Sequence, residues 1–600
     1  MYKFITFLFL LLPILSVSQN KEYKEAYQYY INGEYEKAVS IYKDSPKSSL
    51  SSYYSPYYMS LLYLKKYNDA KKLVNIMLRK QKQNLGYQVD LVIVLEKVGN
   101  QREATKKHLE IIKNINGTYN QSRYLSNKYI NHEMYKKALS IYEKSEKIND
   151  KDNFNIYKAE LYSYLDDNNM MIKEYINSII KYPKTKKQVI SKIQKFLDND
   201  GIENFENYKV TKNQLLISIN QNTNNLQLTE LLIWLYMQSA DFKMALVQAK
   251  ALDKRGKNDG KIVYDIGESL LDYQEYDIAI DAFDYILNLN KKNQVYISSC
   301  INKLYAMTKL ISSKKDLSKI DNLYLQFINE LGKNNKTVLL LSNYANFKAF
   351  YLNQLNEASI LLEDAININQ ISSTDLAECK LEYADIQLLL GNIWESLLFY
   401  SQVEKDFRES PIGHEAKLRR AKIAYFQGDF SWAQAQLQVL KASTSKLIAN
   451  DAMKLSLLIT DNYNLDTAEY PMKTFAKAEL FIFQNNFTQA FIKFDSILNN
   501  FPGHSLEDEI YMRKADIYCR SDSFNFALEM YEKVIQDYGF DILADDAIFK
   551  KAKLFEKIND LENAKNLYEK LILEYSNSIY TAEARIRFRS IRGDKINNYK

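Results

Sequence analysis

The sequence predicts an all-α fold, a solenoid of helical-hairpin repeats. Three observations predict it. Glycine and proline are scarce, 15 and 7 in 600 residues, about 4% against about 12% in average proteins. Small and aromatic residues recur together at a period of about 34 residues. Within each period stands a short run of Asn, Gly or Asp, as in Asn485-Asn486, Gly428-Asp429 and Asn559-Asp560, which breaks a helix into a turn. The first observation excludes turn-rich β folds and sheets with glycine-rich ligand loops. A hydrophobic content of 46% supports a sizeable core and excludes both a disordered chain and a multi-span membrane protein. With 80 Lys and Arg against 74 Asp and Glu, the net charge of +6 leaves no nucleic-acid footprint.

Met1 to Asn20 reads as an export signal. Lys3 supplies the positive start, Phe4 to Leu15 the apolar run, and Ser16-Val17-Ser18 the small residues before cleavage. Residues 1–18 are therefore expected to be removed. The run is short for a membrane span, which needs about 20 residues, and no cysteine follows it to carry a lipid.

Residues 19–184 form the first repeat region. Ala26, Tyr29, Gly33, Ala38 and Tyr42 open the ladder; Ser126, Tyr129, Ala138 and Tyr142 continue it, then Ala159, Tyr162, Tyr175 and Pro183. Residues 185–225 match poorly and read as a degenerate helical joint. Residues 226–375 form a central repeat region around Gly267, Leu270, Ala279, Phe283 and Ile286, with a poor match over 297–335. Residues 376–600 carry the clearest copies, interrupted at 440–470. Ala384, Gly391, Ser396 and Tyr400 are followed by Ala421, Gly428, Ala433 and Leu437. Ala478, Phe481, Ala490, Phe494 and Ile497 recur as Ala515, Tyr518, Ala527, Tyr531 and Val534, then as Ala552, Phe555, Ala564, Tyr568 and Leu571. A last helix with Arg585, Arg587, Arg589 and Arg592 closes the array as a polar cap.

The physical reading is a pair of antiparallel helices per copy. Small residues twelve apart lie on facing helices where the backbones approach. An aromatic four residues later sits one turn further along the same face. No hairpin of this size buries its apolar face alone, and stacked neighbours do.

This ladder resembles the tetratricopeptide repeat family over most of the chain beyond the signal. The usual tryptophan and glycine of the first helix are mostly replaced, and the closing proline survives at Pro183 and Pro502. Phe407-Arg408-Glu409-Ser410-Pro411, Tyr575-Ser576-Asn577-Ser578 and Ala582-Glu583-Ala584-Arg585 are similar to loop and helix openings of exported BamD- and YbgF-like repeat proteins. The resemblance implies a right-handed superhelix whose concave groove, built from first helices, takes a protein or peptide partner. The family's groove positions fall here on Lys422, Tyr425, Phe475, Glu479, Met512, Asp516, Phe549 and Lys553.

Little in the sequence points to chemistry. No two glycines stand two apart, so phosphate-cradling loops are excluded, and no G-x-S-x-G elbow is present. His132-Glu133 and His414-Glu415 open a zinc-helix motif, but Lys136 and Leu418 replace the second ligand. Asp198-Asn199-Asp200-Gly201 hints at a calcium loop whose closing position is Asn207. Gly267-Glu268-Ser269 is the nearest match to the Glu-Ser pair of helical-superhelix transglycosylases and lacks their downstream glycines. Cys300, Cys379 and Cys519 read as small buried residues. Two lysine and arginine clusters, Lys181 to Lys195 and Arg585 to Arg592, read as a solvated face and a cap. The sequence thus leads to a non-catalytic scaffold with no catalytic, metal or cofactor residues, no nucleic-acid partner and a peripheral association with the envelope. Its expected location is the periplasm or outer membrane of a Gram-negative bacterium. The alternative is an exported cell-wall or glycan-acting enzyme of helical-superhelix type.

Overall fold

The computed structural model describes residues 23–198, 202–256, 259–289, 291–463 and 469–593. The export segment Met1 to Asn20 and the Asn199–Gly201 part of the calcium-loop hint lie outside them. Among the described residues every regular element is helical, from α1 (23–31) to α32 (Thr581–Arg592), with no strand. The chain divides into two units, Met1–Leu270 and Leu271–Lys600.

The first unit is a run of helix pairs. These are α1 with α2 (Tyr35–Asp44), α3 (Leu50–Tyr63) with α4 (Tyr67–Lys80), α5 (Leu85–Lys97) with α6 (Gln101–Asn114), α7 (Tyr119–Ile130) with α8 (Tyr135–Ile148), and α9 (Asn155–Tyr164) with α10 (Asn168–Lys181). Residues 185–225 hold α11 (Lys186–Leu197) and the longer α12 (Ile202–Gln221); α13 (Leu226–Gln238), α14 (Phe242–Arg255) and α15 (Lys261–Asp272) follow. Twelve-residue spacing does place small residues at the helix contact. Ala26 and Ala38 are fully buried, and the Ser126 hydroxyl donates to the Ala138 carbonyl at 3.2 Å. The aromatics one turn on, Tyr42 and Tyr142, are 1% exposed.

One carboxylate, which no spacing in the sequence singles out, ties three first helices of this unit together. Asp90 of α5 is 1% exposed. It accepts from the Tyr54 hydroxyl of α3 at 2.8 Å and pairs with the Lys128 ammonium of α7 at 2.7 Å. The Tyr58 hydroxyl donates to its backbone carbonyl at 3.1 Å. Burial pushes the Asp90 carboxyl above the ordinary carboxylate range, with Lys128 pulling it back.

The second unit continues the pairing. After α16 (Tyr276–Leu287) come α17 (Tyr296–Lys309) with α18 (Lys314–Leu331), α19 (Val338–Phe350) with α20 (Leu355–Ile366), α21 (Ser373–Leu389) with α22 (Ile393–Asp406), and α23 (Pro411–Gln427) with α24 (Phe430–Leu440). A single helix, α25 (Lys446–Tyr463), stands alone before α26 (Glu469–Phe483) with α27 (Phe487–Asn500), α28 (Glu507–Arg520) with α29 (Phe524–Asp537), α30 (Ala544–Lys557) with α31 (Leu561–Glu574), and α32. The repeat pattern blurs over 297–335 because α18 is 18 residues long and starts on a Ser313–Asp316 capping box. It blurs over 440–470 because α25 has no partner of its own. The array closes around it, with α26 packed directly on α23. Leu480 and Phe483 of α26 join the core of Ala384, Leu388 and Ile423, and the Gln484 amide donates to the Leu388 carbonyl at 3.0 Å.

The turn inside the described hairpins, α17–α18 excepted, follows one rule. A residue in the left-handed region stands two places before the second helix: Gly33, Lys65, Gly99, Glu133, Asp166, Ala240, Gln274, Asn353, Gly391, Gly428, Asn485, Asp522 and Asn559. Its amide and that of the next residue reach back to the end of the first helix, as in Asn485 to Ile482 at 3.0 Å and Asn486 to Phe481 at 2.8 Å. Ala240 holds a φ of 55° with neither glycine's freedom nor an Asn side chain to ease it. A left-handed L-residue costs about 1–2 kcal/mol, and glycine's extra chain entropy returns about 0.5–1 of that. Ala240→Gly is therefore expected to stabilise the first unit by about 0.5–1 kcal/mol. A urea titration showing lost stability would contradict this account of the turn.

Candidate functional site

Along the second unit, the first helices carry a repeated ion-pair device. In α21, α26 and α28 the residue after the buried alanine is acidic, whereas in α23 Lys422 follows Ala421; a base on the following first helix reaches each of these acids. Asp385 follows Ala384 and is held by Arg419; Glu479 follows Ala478 and accepts from the Arg513 guanidinium at 2.7 Å; Asp516 follows Ala515 and is held through both oxygens by the Lys550 ammonium at 3.0 Å. A tyrosine hydroxyl completes each group. Tyr400 donates to Asp385 and Tyr531 to Asp516 at 3.0 Å, each from the second helix of the same hairpin. Phe494 stands in that place in the α26–α27 hairpin, and Tyr425 of α23 supplies the hydroxyl to Glu479 at 2.6 Å instead. Burial raises the Asp385 carboxyl to about 6 even with Arg419 beside it.

The device stops at α30. The residue after buried Ala552 is Lys553, not an acid, and Tyr568 buries its hydroxyl without a hydrogen-bond partner. Lys553 is exposed, its ammonium lies 5.6 Å from the centre of the Phe549 ring, and no described carboxylate pairs with it. Beside it a groove of about 760 Å³ opens between α28, α30 and α32. Its cations are Lys550, Lys553, Lys557 and Arg587; its acids are Asp516 and Glu556, the latter held by Arg587 at 2.6 Å. Phe549, Leu554, Tyr531 and Tyr580 supply its apolar walls. A smaller cavity of about 170 Å³ lies one hairpin earlier, lined by Glu479, Arg513, Asp516 and Arg520.

The structure separates the eight groove positions into two sets. Lys422, Glu479 and Asp516 are half-buried and Lys553 is exposed, all on the first-helix face. Tyr425, Phe475, Met512 and Phe549 are 1, 0, 2 and 5% exposed and lie in the hairpin cores. The physical reason is helix geometry. Phe475, Met512 and Phe549 stand three residues before the buried alanine of their helix, and Tyr425 four residues after Ala421, so all four share the alanine's inward face. Sequence reasoning missed Arg513 and Lys550, whose signal is a base two before the small residue; Arg587, three after Ala584, reads in the sequence only as part of the polar cap.

Close to this row lies a buried acid of another kind. Glu509 of α28 accepts from the Asn462 amide of α25 at 3.1 Å, and its second oxygen is buried without a partner. Burial, then neighbouring Asp508, pushes its carboxyl up to about 9 from an ordinary 4.5. A folded carboxyl raised in this way contributes stability that is full below pH 4.5 and lost as pH rises towards 9. Wild-type stability is therefore expected to fall between pH 5 and 8, and Glu509→Gln to flatten that fall while gaining at the alkaline end. Urea midpoints for the two proteins that track in parallel with pH would contradict it.

Among the described residues no group of His, Cys, Asp and Glu is set to hold a metal. Cys300 and Cys379 are buried free thiols pushed up to about 12 by burial. Glu268 is exposed and accepts from the Tyr264 hydroxyl at 2.7 Å. In the lysine cluster, Lys181 pairs with Glu146, Lys186 with Glu230 and Lys192 with Glu160. No described helix is long and apolar enough to cross a membrane.

No family model and no curated protein matches the sequence. Solved structures that align include Naa15/Naa10 bound to HypK-THB, at 12% identity over 97% of this chain and 98% of that one, with a TM-score of 0.29. The yeast Tom70 aligns at 12% identity over 95% of this chain and 99% of that one, TM-score 0.25. A tetratricopeptide repeat protein from Parabacteroides merdae aligns at 15% identity over 49% of this chain and 98% of that one, TM-score 0.22. Superpositions this loose carry neither a partner nor an activity to this chain.

Proposed function

We propose that the chain is a non-catalytic, exported scaffold that holds a protein partner along the first-helix face of its second unit, in envelope assembly, secretion or cell-wall organisation. The observation that supports this most is the end of the ion-pair row at α30. Upstream, the acids Asp385, Glu479 and Asp516 on this face are each matched by a cation within the chain. At Lys553 the match stops, and the cations beside a groove of about 760 Å³ outnumber its acids by four to two. An acidic side chain of a partner fits where the next acid of the row would stand, with an apolar neighbour against Phe549 and Leu554.

The variant to test is Lys553→Glu with Lys557→Glu. Charge reversal at Glu479 or Asp516 is the poorer choice, because it strands Arg513 or Lys550 and unsettles the fold. The tagged protein is crosslinked in the envelope of its native cells and recovered at low and high salt. A reproducible partner that the wild type retains and the variant loses is the expected result. The same partner recovered with both proteins removes the groove from the reading. Glycan fragments recovered in place of protein would turn the reading towards the enzyme.

A further inference from the structure

A second surface lies at the loop edge of the last hairpins, away from the first-helix face. Phe540 is fully exposed there, and Ile542, Leu573 and Ile579 are 73, 72 and 82% exposed. They sit in or beside the α29–α30 and α31–α32 connections. Those connections are held in place: the Tyr575 hydroxyl donates to the Gly539 carbonyl at 2.8 Å, and Tyr580 donates to Asp546 at 2.6 Å while stacking on Phe549 at 4.4 Å. The four apolar side chains are thus presented to water from fixed backbone, and covering them is favourable.

The same edge carries a second unfavourable choice. Asp537 and Glu574 are the last residues of α29 and α31, where the carbonyl end of a helix repels anions, and neither last turn holds a base. Of the other second helices, α2, α4, α6, α8, α10, α14 and α22 keep a lysine or arginine in their last turn, while α16, α18, α20, α24 and α27 hold none there but end on Leu287, Leu331, Ile366, Leu440 and Asn500 instead of an acid. Asp541 and Asp545 add to the negative charge, and no Lys, Arg or His occurs in 536–546 or 573–583.

We propose that this edge docks a partner segment that is basic and has an apolar face, distinct from the acidic segment of the first-helix groove. The apolar face covers Phe540, Ile542 and Ile579, and its lysines or arginines answer Asp537, Asp541 and Glu574. This inference rests on the scaffold reading but not on the groove.

The test uses the whole chain and a fluorescein-labelled amphipathic peptide of leucine and lysine at helical spacing, followed by anisotropy and amide-exchange protection. The expected result is salt-sensitive binding that protects 536–546 and 573–583 and weakens about tenfold or more in Phe540→Ser with Ile579→Ser. Asp537→Asn with Glu574→Gln is expected to weaken binding and flatten its salt dependence. These positions are exposed, so unchanged melting separates lost docking from lost fold. Equal binding of a leucine–glutamate peptide, or of the Phe540→Ser, Ile579→Ser protein, overturns the proposal. So does a concentration-dependent dimer that the same variant abolishes, which would make the occupant a second copy of the chain. In either case the pull-down with Lys553→Glu still decides the scaffold reading separately.

Discussion

Gly413→Ala is expected to cost the second unit about 3 kcal/mol or more, although it adds a single methyl to a helix. Gly413 lies in the first turn of α23, which starts on the Ser410 cap and Pro411. The end of α22 folds back over that turn. A Cβ at position 413 would stand 1.8 Å from the Phe407 carbonyl oxygen and 2.6 Å from its carbonyl carbon. Both are backbone atoms, so no rotamer change relieves the clash, and the α22–α23 joint must open. Alanine's better helix propensity returns about 1 kcal/mol at most. Trp432 of α24 is close in sequence and gives a fluorescence signal for urea unfolding. A midpoint within experimental scatter of wild type would show that the joint yields freely.

Asp90→Ala is expected to be the most damaging change in the first unit, at about 3–5 kcal/mol. The loss does not come from the pair's own attraction, which its desolvation largely offsets. It comes from what stays behind: the ammonium of a Lys128 side chain that is only 23% exposed and a Tyr54 hydroxyl in the core, both without their acceptor. Asp90→Leu with Lys128→Met is the informative companion, since replacing both ends by apolar groups should recover most of the loss. Amide exchange in α3, α5 and α7 reads the effect locally. If the single and double variants exchange alike, the carboxylate does not hold the three helices together.

The hairpins were legible in the sequence because they depend on local rules. Ala478 and Ala490, Ala515 and Ala527, and Ala552 and Ala564 are all fully buried where the twelve-residue spacing puts them. Phe494, Tyr531 and Tyr568 fill the next turn at 0, 2 and 0% exposure. The candidate site was half legible. A one-residue step around a helix is about 100°, so Glu479, Asp516 and Lys553 turn outward while Phe549, three before an alanine, turns in. The unpaired α25 and the Asp90 cluster were hidden for another reason. Both are set by which helices meet across long stretches of chain, and no spacing within one repeat records that. The left-handed turn residue was hidden where Lys65, Ala240 or Gln274 occupies it, because none of these advertises a positive φ.

The row of ion pairs also has a direction. In each link the acid belongs to the earlier hairpin and the base to the later one, Asp385 to Arg419, Glu479 to Arg513, Asp516 to Lys550. Shortening the protein from its two ends is therefore not equivalent. A chain cut after α29 keeps Asp516 with its Tyr531 hydroxyl and loses its cation, leaving a bare carboxylate at the new terminus. A chain that begins at α28 keeps Arg513 and loses Glu479, leaving a bare guanidinium. A single cut between α27 and α28 leaves the Glu479 carboxylate on one fragment and the Arg513 guanidinium on the other, opposite charges on the same face that complement each other across the cut.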